Sequence, residues 1–225
     1  MRLIAHRGFA LTFPENTRYA VQAAADVADL VEVDVRRCGS GELVVVHDET
    51  VDRVTDGTGR VADRRLPELR DLDVFDSGEP IPTLAAVVDA VPAEVGLVLD
   101  LKEADVAADA PEIAATADND VLVSATDAET LAAAQDAAPG VPRAVVFDRD
   151  PEQGLRLARD FECAAVHPHH ESATPGLVER CHVGGFSVHA WPVADGATAA
   201  RLAEANADGV IADRPDVLES VPGGA

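Results

Sequence analysis

Leu30-Val31-Glu32-Val33-Asp34-Val35-Arg36-Arg37-Cys38-Gly39-Ser40-Gly41-Glu42-Leu43-Val44-Val45-Val46-His47-Asp48 is the stretch on which the fold turns. It contains two β-branched runs, 30 to 36 and 43 to 47, with only Arg37 to Glu42 between them. A parallel crossover needs about a dozen residues or more, so these runs must form an antiparallel hairpin, with Gly39 and Gly41 supplying the turn. If the turn is centred on Gly39 and Ser40, partner numbers sum to a constant and Glu32 faces His47 across the pair.

Outward from this hairpin the chain repeats one theme. Short apolar segments at 2–6, 95–101, 120–124, 142–147, 163–167, 185–191 and 208–212 alternate with alanine-rich helical stretches at 15–28, 83–91, 127–138, 151–160, 175–182 and 196–206. Such alternation marks βα units around a parallel sheet. With the hairpin return set aside, eight parallel strands remain, which predicts an α/β fold: a single (β/α)8 TIM-type barrel with a β-hairpin after the second strand. Pro175 suits a helix start, and the weakest helical stretch follows Lys102. Residues 49–80, with Gly57, Gly59 and Gly78, read as an elaborated loop rather than a second domain. The expected organisation is one domain over residues 1–220, followed by a frayed tail at 221–225.

Composition narrows the function. A formal net charge of -23 repels nucleic acid and anionic lipid, so neither a nucleic-acid partner nor stable membrane association is expected. Any phosphate handled here must meet a local cation. Lys102 is the only lysine, and aspartate, alanine and valine abound, a composition resembling that of proteins from halophiles, whose acidic surfaces work in high internal salt. No apolar run is long enough to span a bilayer and the polar start, Met1 to His6, does not suit a signal peptide, so a cytoplasmic location is expected. Cys38, Cys163 and Cys181 are odd in number and widely spaced, which suggests neither disulfides nor a zinc knuckle.

Active sites of such barrels lie where the parallel strands end. There stand His6 and Arg7, Glu32 and Asp34, Asp100 and Lys102, Ser124, His167, Trp191 and Asp213, joined by His47 through the hairpin. Glu32 and Asp34 share one strand face, and two like charges there demand a counter-charge; a hard cation with oxygen ligands, Mg²⁺ or Ca²⁺, answers it, and Asp100 can add a third carboxylate. Exposed, solvated acids are the plainer alternative. Lys102 offers a compact cation for a phosphate oxygen. His6 and His47 suit an acid and base pair, although imidazoles also ligate metals. His167, His169 and His170 read as a loop with one histidine at the rim, and Trp191 as either a substrate wall or a plug of the barrel mouth.

In order, these residues resemble the glycerophosphodiester phosphodiesterase family, itself similar to the phosphatidylinositol-specific phospholipases C. The resemblance is carried by His6-Arg7-Gly8, Pro14-Glu15-Asn16-Thr17, Glu32-Val33-Asp34-Val35, Val45-Val46-His47-Asp48 and Arg53-Val54-Thr55 with Gly57 and Gly59. It continues through Ile81-Pro82-Thr83-Leu84, Asp100-Leu101-Lys102, Ser124, Trp191 and Asp208-Gly209-Val210-Ile211, ending at Asp213-Arg214-Pro215. The resemblance implies metal-dependent hydrolysis of glycerophosphodiesters to glycerol phosphate and an alcohol. It implies one divalent cation, Mg²⁺ or Ca²⁺, on Glu32, Asp34 and Asp100, with His6 as general base and His47 as general acid. Arg7 and Lys102 would neutralise phosphate charge, Glu15 or Asn16 would help fix metal and substrate, and Trp191 would line the pocket. Asp100 stands where the family usually has Glu, Ser40 where the turn usually has Asp, Thr126 where an aromatic often follows the serine, and Ala194 where an Asn usually follows the tryptophan. A phospholipase-type phosphodiesterase and a catalytically weakened glycerophosphate-binding relative are the alternatives, and a homodimer is left open.

Overall fold

The computed structural model describes residues 1–221. Its strands are β1 (Arg2–Ala5), β2 (Leu30–Arg37), β3 (Leu43–Val45), β4 (Gly96–Leu101), β5 (Val121–Ala125), β6 (Arg143–Phe147), β7 (Ala165–Pro168), β8 (Ser187–Val193) and β9 (Gly209–Ala212). Its helices are α1 (Arg18–Ala25), α2 (Leu66–Arg70), α3 (Leu84–Val88), α4 (Asp109–Ala114), α5 (Ala128–Ala137), α6 (Pro151–Asp160), α7 (Pro175–Val183) and α8 (Gly196–Glu204). The sheet runs β1-β9-β8-β7-β6-β5-β4-β2-β3, and a further β1–β2 pairing closes eight parallel strands into a barrel. The expected fold is therefore present, with β3 antiparallel to β2 outside the ring. Strand β2 is long enough to serve both neighbours: Leu30 and Val31 pair with β1, while Val35 to Arg37 pair with β3.

Helix starts follow side-chain chemistry. Thr17, Thr83, Asp127, Asp150, Thr174 and Asp195 each accept a backbone N–H of the first turn they cap, and Pro151 and Pro175 sit in the first turns of their helices. After Lys102, where the helical signal is weakest, the chain makes a 3-10 turn at Ala104–Val106 and the short α4. The stretch 49–80 is more ordered than a loop: it contains α2 and a small core of its own, in which Val44 and Val46 of the hairpin pack with Val51, Val54, Val61, Leu69, Val74 and Ile81.

The barrel wall divides the side chains by parity. Val31, Val33 and Val35 are buried in the layer between strands and helices, each contributing roughly 1.5–3 kcal/mol relative to exposure. Ile4, Leu30, Val98, Leu122, Ala144, Ala165 and Ile211 fill the interior. Toward the carboxyl ends this interior becomes polar at Glu32, Asp34, Asp100, Ser124 and His167, all buried. Pro192 lies where the β8–β9 register shifts between Ala190 and Val193, as suits a residue with no N–H for the ladder.

One expectation needs correction. The hairpin register is one residue away from that expected: Val35 pairs with Val45, the Val46 N–H donates to the Asp34 carbonyl at 3.0 Å, and Glu32 is not opposite His47. The reason is a turn centred on Ser40, closed by Cys38 and Glu42 with Gly41 at φ 101°. Val221, the first residue of the expected tail, is buried against the core, and residues 222–225 lie outside the described residues. Cys38, Cys163 and Cys181 are buried free thiols, and no helix among the described residues is long and apolar enough to cross a membrane.

Candidate active site

One pocket at the carboxyl end of the barrel is lined by His6, Arg7, Glu32, Asp34, His47, Asp100, Lys102 and Trp191 among others. Eight of the ten residues to which the resemblance assigns a role thus meet on one surface. Glu15 and Asn16 stand behind it: Asn16 donates to Asp34 Oδ2 at 2.7 Å, and Glu15 accepts from Arg7 Nη1 at 3.0 Å.

Local backbone brings the first of these residues inward. His6 opens a 3-10 turn directly after β1, and Arg7, Gly8 and Phe9 adopt positive φ of 52°, 75° and 69°. Gly8 is needed for close approach as well as for its φ, since a Cβ there would lie 2.8 Å from Ala20 of α1. The turn aims the Arg7 N–H at Glu32 Oε2, 2.8 Å away.

The carboxylates of Glu32, Asp34 and Asp100 form a cluster whose nearest oxygens lie within 4.8 Å of one another. Parallel register explains part of this, because Asp34 pairs with Asp100 and Asp100 with Ser124. Ser124 donates to Asp100 Oδ1 at 2.7 Å, while Lys102 Nζ bonds Asp100 Oδ2 and lies 2.7 Å from Asp34 Oδ1. Arg7 Nε is 3.1 Å from Asp34 Oδ2, yet it is buried without a hydrogen-bond partner.

Three acids therefore face two cations, and Glu32 is the acid left over. Burial first, and then Asp34, push its carboxyl up to about 7. Burial also opposes ionisation of Asp34, but Lys102 and then Arg7 outweigh it and hold that carboxyl well below its usual range. This cluster suits a divalent cation. Oxygen ligands of one hard ion lie about 2.0–2.6 Å from it, so two such ligands are at most about 5 Å apart, and the cluster lacks one positive charge. Asp100 reaches the cluster despite being one methylene shorter than glutamate.

Each histidine has one ring nitrogen held by a carboxylate. His6 Nδ1 lies 2.6 Å from Asp213 Oδ1, and His47 Nδ1 lies 2.6 Å from Asp48 Oδ1. Both rings can present Nε2 to the pocket. Their environments push them apart. For His6, burial disfavours the imidazolium, but the Asp213 hydrogen bond and the Glu32 charge outweigh it, so its pKa is raised. For His47, burial is the largest influence, Lys102 and Arg7 add to it against the opposing pull of Asp34, and the pKa is lowered.

Trp191 packs on the interior layer, donates Nε1–H to the His167 carbonyl at 2.9 Å, and lines the pocket. Of the clustered histidines, His167 lines the pocket, buried and 3.2 Å from Nδ1 of His189. Thr126 also lines the pocket, whereas Ala194 is exposed and is not among its lining residues. Sequence reasoning did not identify Asp48, Asp213 or Arg53 as partners of the site residues. Barrel closure could have pointed to Asp213: Ala5 pairs with Ala212, so the residues that follow them, His6 and Asp213, are the next step of the same register.

The model of the glycerophosphoryl diester phosphodiesterase family matches residues 6–217. The chain is 33% identical to a glycerophosphodiester phosphodiesterase of Caldanaerobacter subterraneus subsp. tengcongensis, covering 96% of this chain and 95% of that relative. A phosphodiesterase of Oleispira antarctica, solved in complex with the product sn-glycerol-3-phosphate, superposes with a TM-score of 0.90 at 28% identity, covering 98% of this chain and 96% of that one. A glycerophosphodiester phosphodiesterase of Agrobacterium tumefaciens superposes with a TM-score of 0.83 at 28% identity, covering 98% of this chain and 100% of that one.

Proposed function

Because the chain belongs to the glycerophosphoryl diester phosphodiesterase family and is a phosphoric diester hydrolase, we propose that it cleaves glycerophosphodiesters to glycerol phosphate and an alcohol in the pocket between His6 and His47. The observation that carries this reading is the gathering in one pocket of three carboxylates, two fixed cations and two imidazoles that are each steadied by an aspartate. The product held by the Oleispira antarctica neighbour supports glycerol phosphate as the part retained.

Glu32, Asp34 and Asp100 would hold one Mg²⁺ or Ca²⁺, which when bound supplies positive charge to the phosphoryl oxygens. Arg7 and Lys102 neutralise further phosphate charge, and Trp191 forms a wall beside the substrate. The neighbouring glycerol hydroxyl attacks phosphorus, one imidazole takes its proton, and the other donates a proton to the departing alcohol oxygen. Water then opens the cyclic phosphate with the two roles exchanged. The resemblance assigns the base to His6 and the acid to His47. The pKa directions favour the reverse, with the raised His6 as donor and the lowered His47 as acceptor.

The test is turnover of a panel of glycerophosphodiesters, glycerophosphocholine and glycerophosphoethanolamine included, with Mg²⁺ or Ca²⁺ and after chelation. Cation-dependent release of glycerol phosphate is expected; no turnover of any member with either ion would sink the reading.

A further inference from the structure

Arg53 lies in the insertion 49–80, in a motif for which the reaction described above has no use, and it does not line the pocket. Each of its three guanidinium nitrogens nevertheless donates a hydrogen bond, although the side chain is 45% exposed. Nε donates to Asp48 Oδ2 at 2.6 Å, Nη1 to Glu15 Oε2 at 2.9 Å and Nη2 to Glu15 Oε1 at 2.8 Å. Each of these carboxylates turns its attention to a pocket residue as well: Asp48 Oδ1 lies 2.6 Å from His47 Nδ1, and Glu15 Oε1 accepts from Arg7 Nη1 at 3.0 Å.

We propose that Arg53 is a positioning residue that locks His47 through Asp48 and Arg7 through Glu15, so that the insertion sets the geometry of proton transfer and phosphate binding. The chemistry fits the arrangement. A planar guanidinium can hold two carboxylates at fixed angles, whereas an ammonium cannot reproduce the fork. Its charge also tempers both acids, so that Asp48 orients the His47 ring without dominating it and Glu15 does not draw Arg7 away from phosphate. The backbone that carries Arg53 is anchored in a packed unit: Val51 and Val54 are buried in the small core shared with the hairpin that delivers His47. Without Arg53, Asp48 and Glu15 each lose a strong partner, and small displacements of reacting groups are costly to rate.

This inference rests on the proton-transfer role of His47, and kinetics of Arg53→Ala, Arg53→Lys, Asp48→Asn, His47→Ala and the Arg53→Ala/Asp48→Asn double variant separate the two. With glycerophosphocholine and saturating Mg²⁺, Arg53→Ala should lower kcat on the order of 10- to 10²-fold, the size of effect found for outer partners of a site. The double variant should lose clearly less than the product of the two single effects, because the Arg53–Asp48 link is broken in both, while the Glu15–Arg7 link is loosened only by Arg53→Ala. Added guanidinium ion should restore part of the lost kcat in Arg53→Ala and none in His47→Ala, a response that a mere loss of folded protein would not give. Arg53→Lys, which keeps the charge but not the fork, should fall between parent and Arg53→Ala. If His47→Ala retains the parental kcat, the histidine assignment itself fails. If His47→Ala is impaired while Arg53→Ala keeps its kcat, or if the single effects multiply in the double variant, the positioning role is overturned.

Discussion

His6 and Asp213, 207 residues apart in the chain, face each other with Nδ1 and Oδ1 separated by 2.6 Å. The contact closes the ring of strands chemically as well as topologically, since the two residues follow the paired ends of β1 and β9. It also raises the pKa of His6 against the opposing effect of burial. Asp213→Asn keeps the shape and removes the charge, so the His6 pKa should fall. If His6 is the proton donor, as proposed, it must be protonated to act, and the alkaline limb of kcat against pH should move to lower pH. An unmoved limb would show that Asp213 does not set the protonation of His6.

The roles of the two histidines can be separated by the leaving group. His6→Ala and His47→Ala should each lower turnover of an alkyl diester by roughly 10²- to 10⁴-fold. An aryl alcohol of low pKa leaves without protonation, so with such a diester His6→Ala should recover much of its loss and His47→Ala should not. Recovery confined to His47→Ala would restore the order implied by the family resemblance. In both variants calorimetric titration should find cation affinity nearly unchanged; loss of the ion would make that histidine a ligand.

Glu32 ties stability to pH and to the cation. Its carboxyl titrates at about 7 in the folded chain against an ordinary 4.5, so between these values the folded state binds more protons than the unfolded one. In the presence of chelator, the stability that Glu32 contributes, read as the difference between the parent and Glu32→Gln, should therefore fall as pH rises from about 4.5 to about 7, while the buried His167 and His189, held below the usual imidazole range, act the other way in both proteins. Mg²⁺ or Ca²⁺ at about 100 times its Kd should add about 2.7 kcal/mol, which for a chain of this size raises Tm by roughly 5–10 °C. Glu32→Gln should remove that falling contribution and weaken the cation response together. A thermal melt indifferent to both ions at pH 7 would count against the cation site.

The net charge of -23 makes a separate prediction about salt. The screening length is about 10 Å at 0.1 M salt and about 3 Å at 1 M, so repulsion between surface carboxylates should largely vanish over that range. Both Tm and the phosphodiesterase rate should rise from tenths molar to molar KCl. A flat or falling Tm would show that the acidity is no adaptation to salt.

Local signals were enough for much of this protein. The six residues between the two valine-rich runs could make a turn but no crossover, and that one constraint, with Pro175 and the alternating apolar segments, led to an eight-stranded barrel. Alternation along β2 likewise placed Glu32 and Asp34 on one face, because side-chain direction in a strand has a period of two. The hairpin register was less legible. A turn centred on Ser40 instead of between Gly39 and Ser40 differs by one residue in its pairing, and both glycines permit either turn.

What the sequence by itself determined was therefore the set of strands, their polar ends and the residue types available there, all consequences of local period and turn chemistry. Only the tertiary structure decided which side chain would meet which. Asp213 reaches His6 because the ring closes between β1 and β9, and His189 meets His167 inside it because β7 and β8 lie side by side. Arg53 joins Asp48 to Glu15 because the insertion folds onto the hairpin around its own core. These partners are set by three-dimensional closure and packing, and no local pattern along the chain encodes the distance between two side chains that closure brings together.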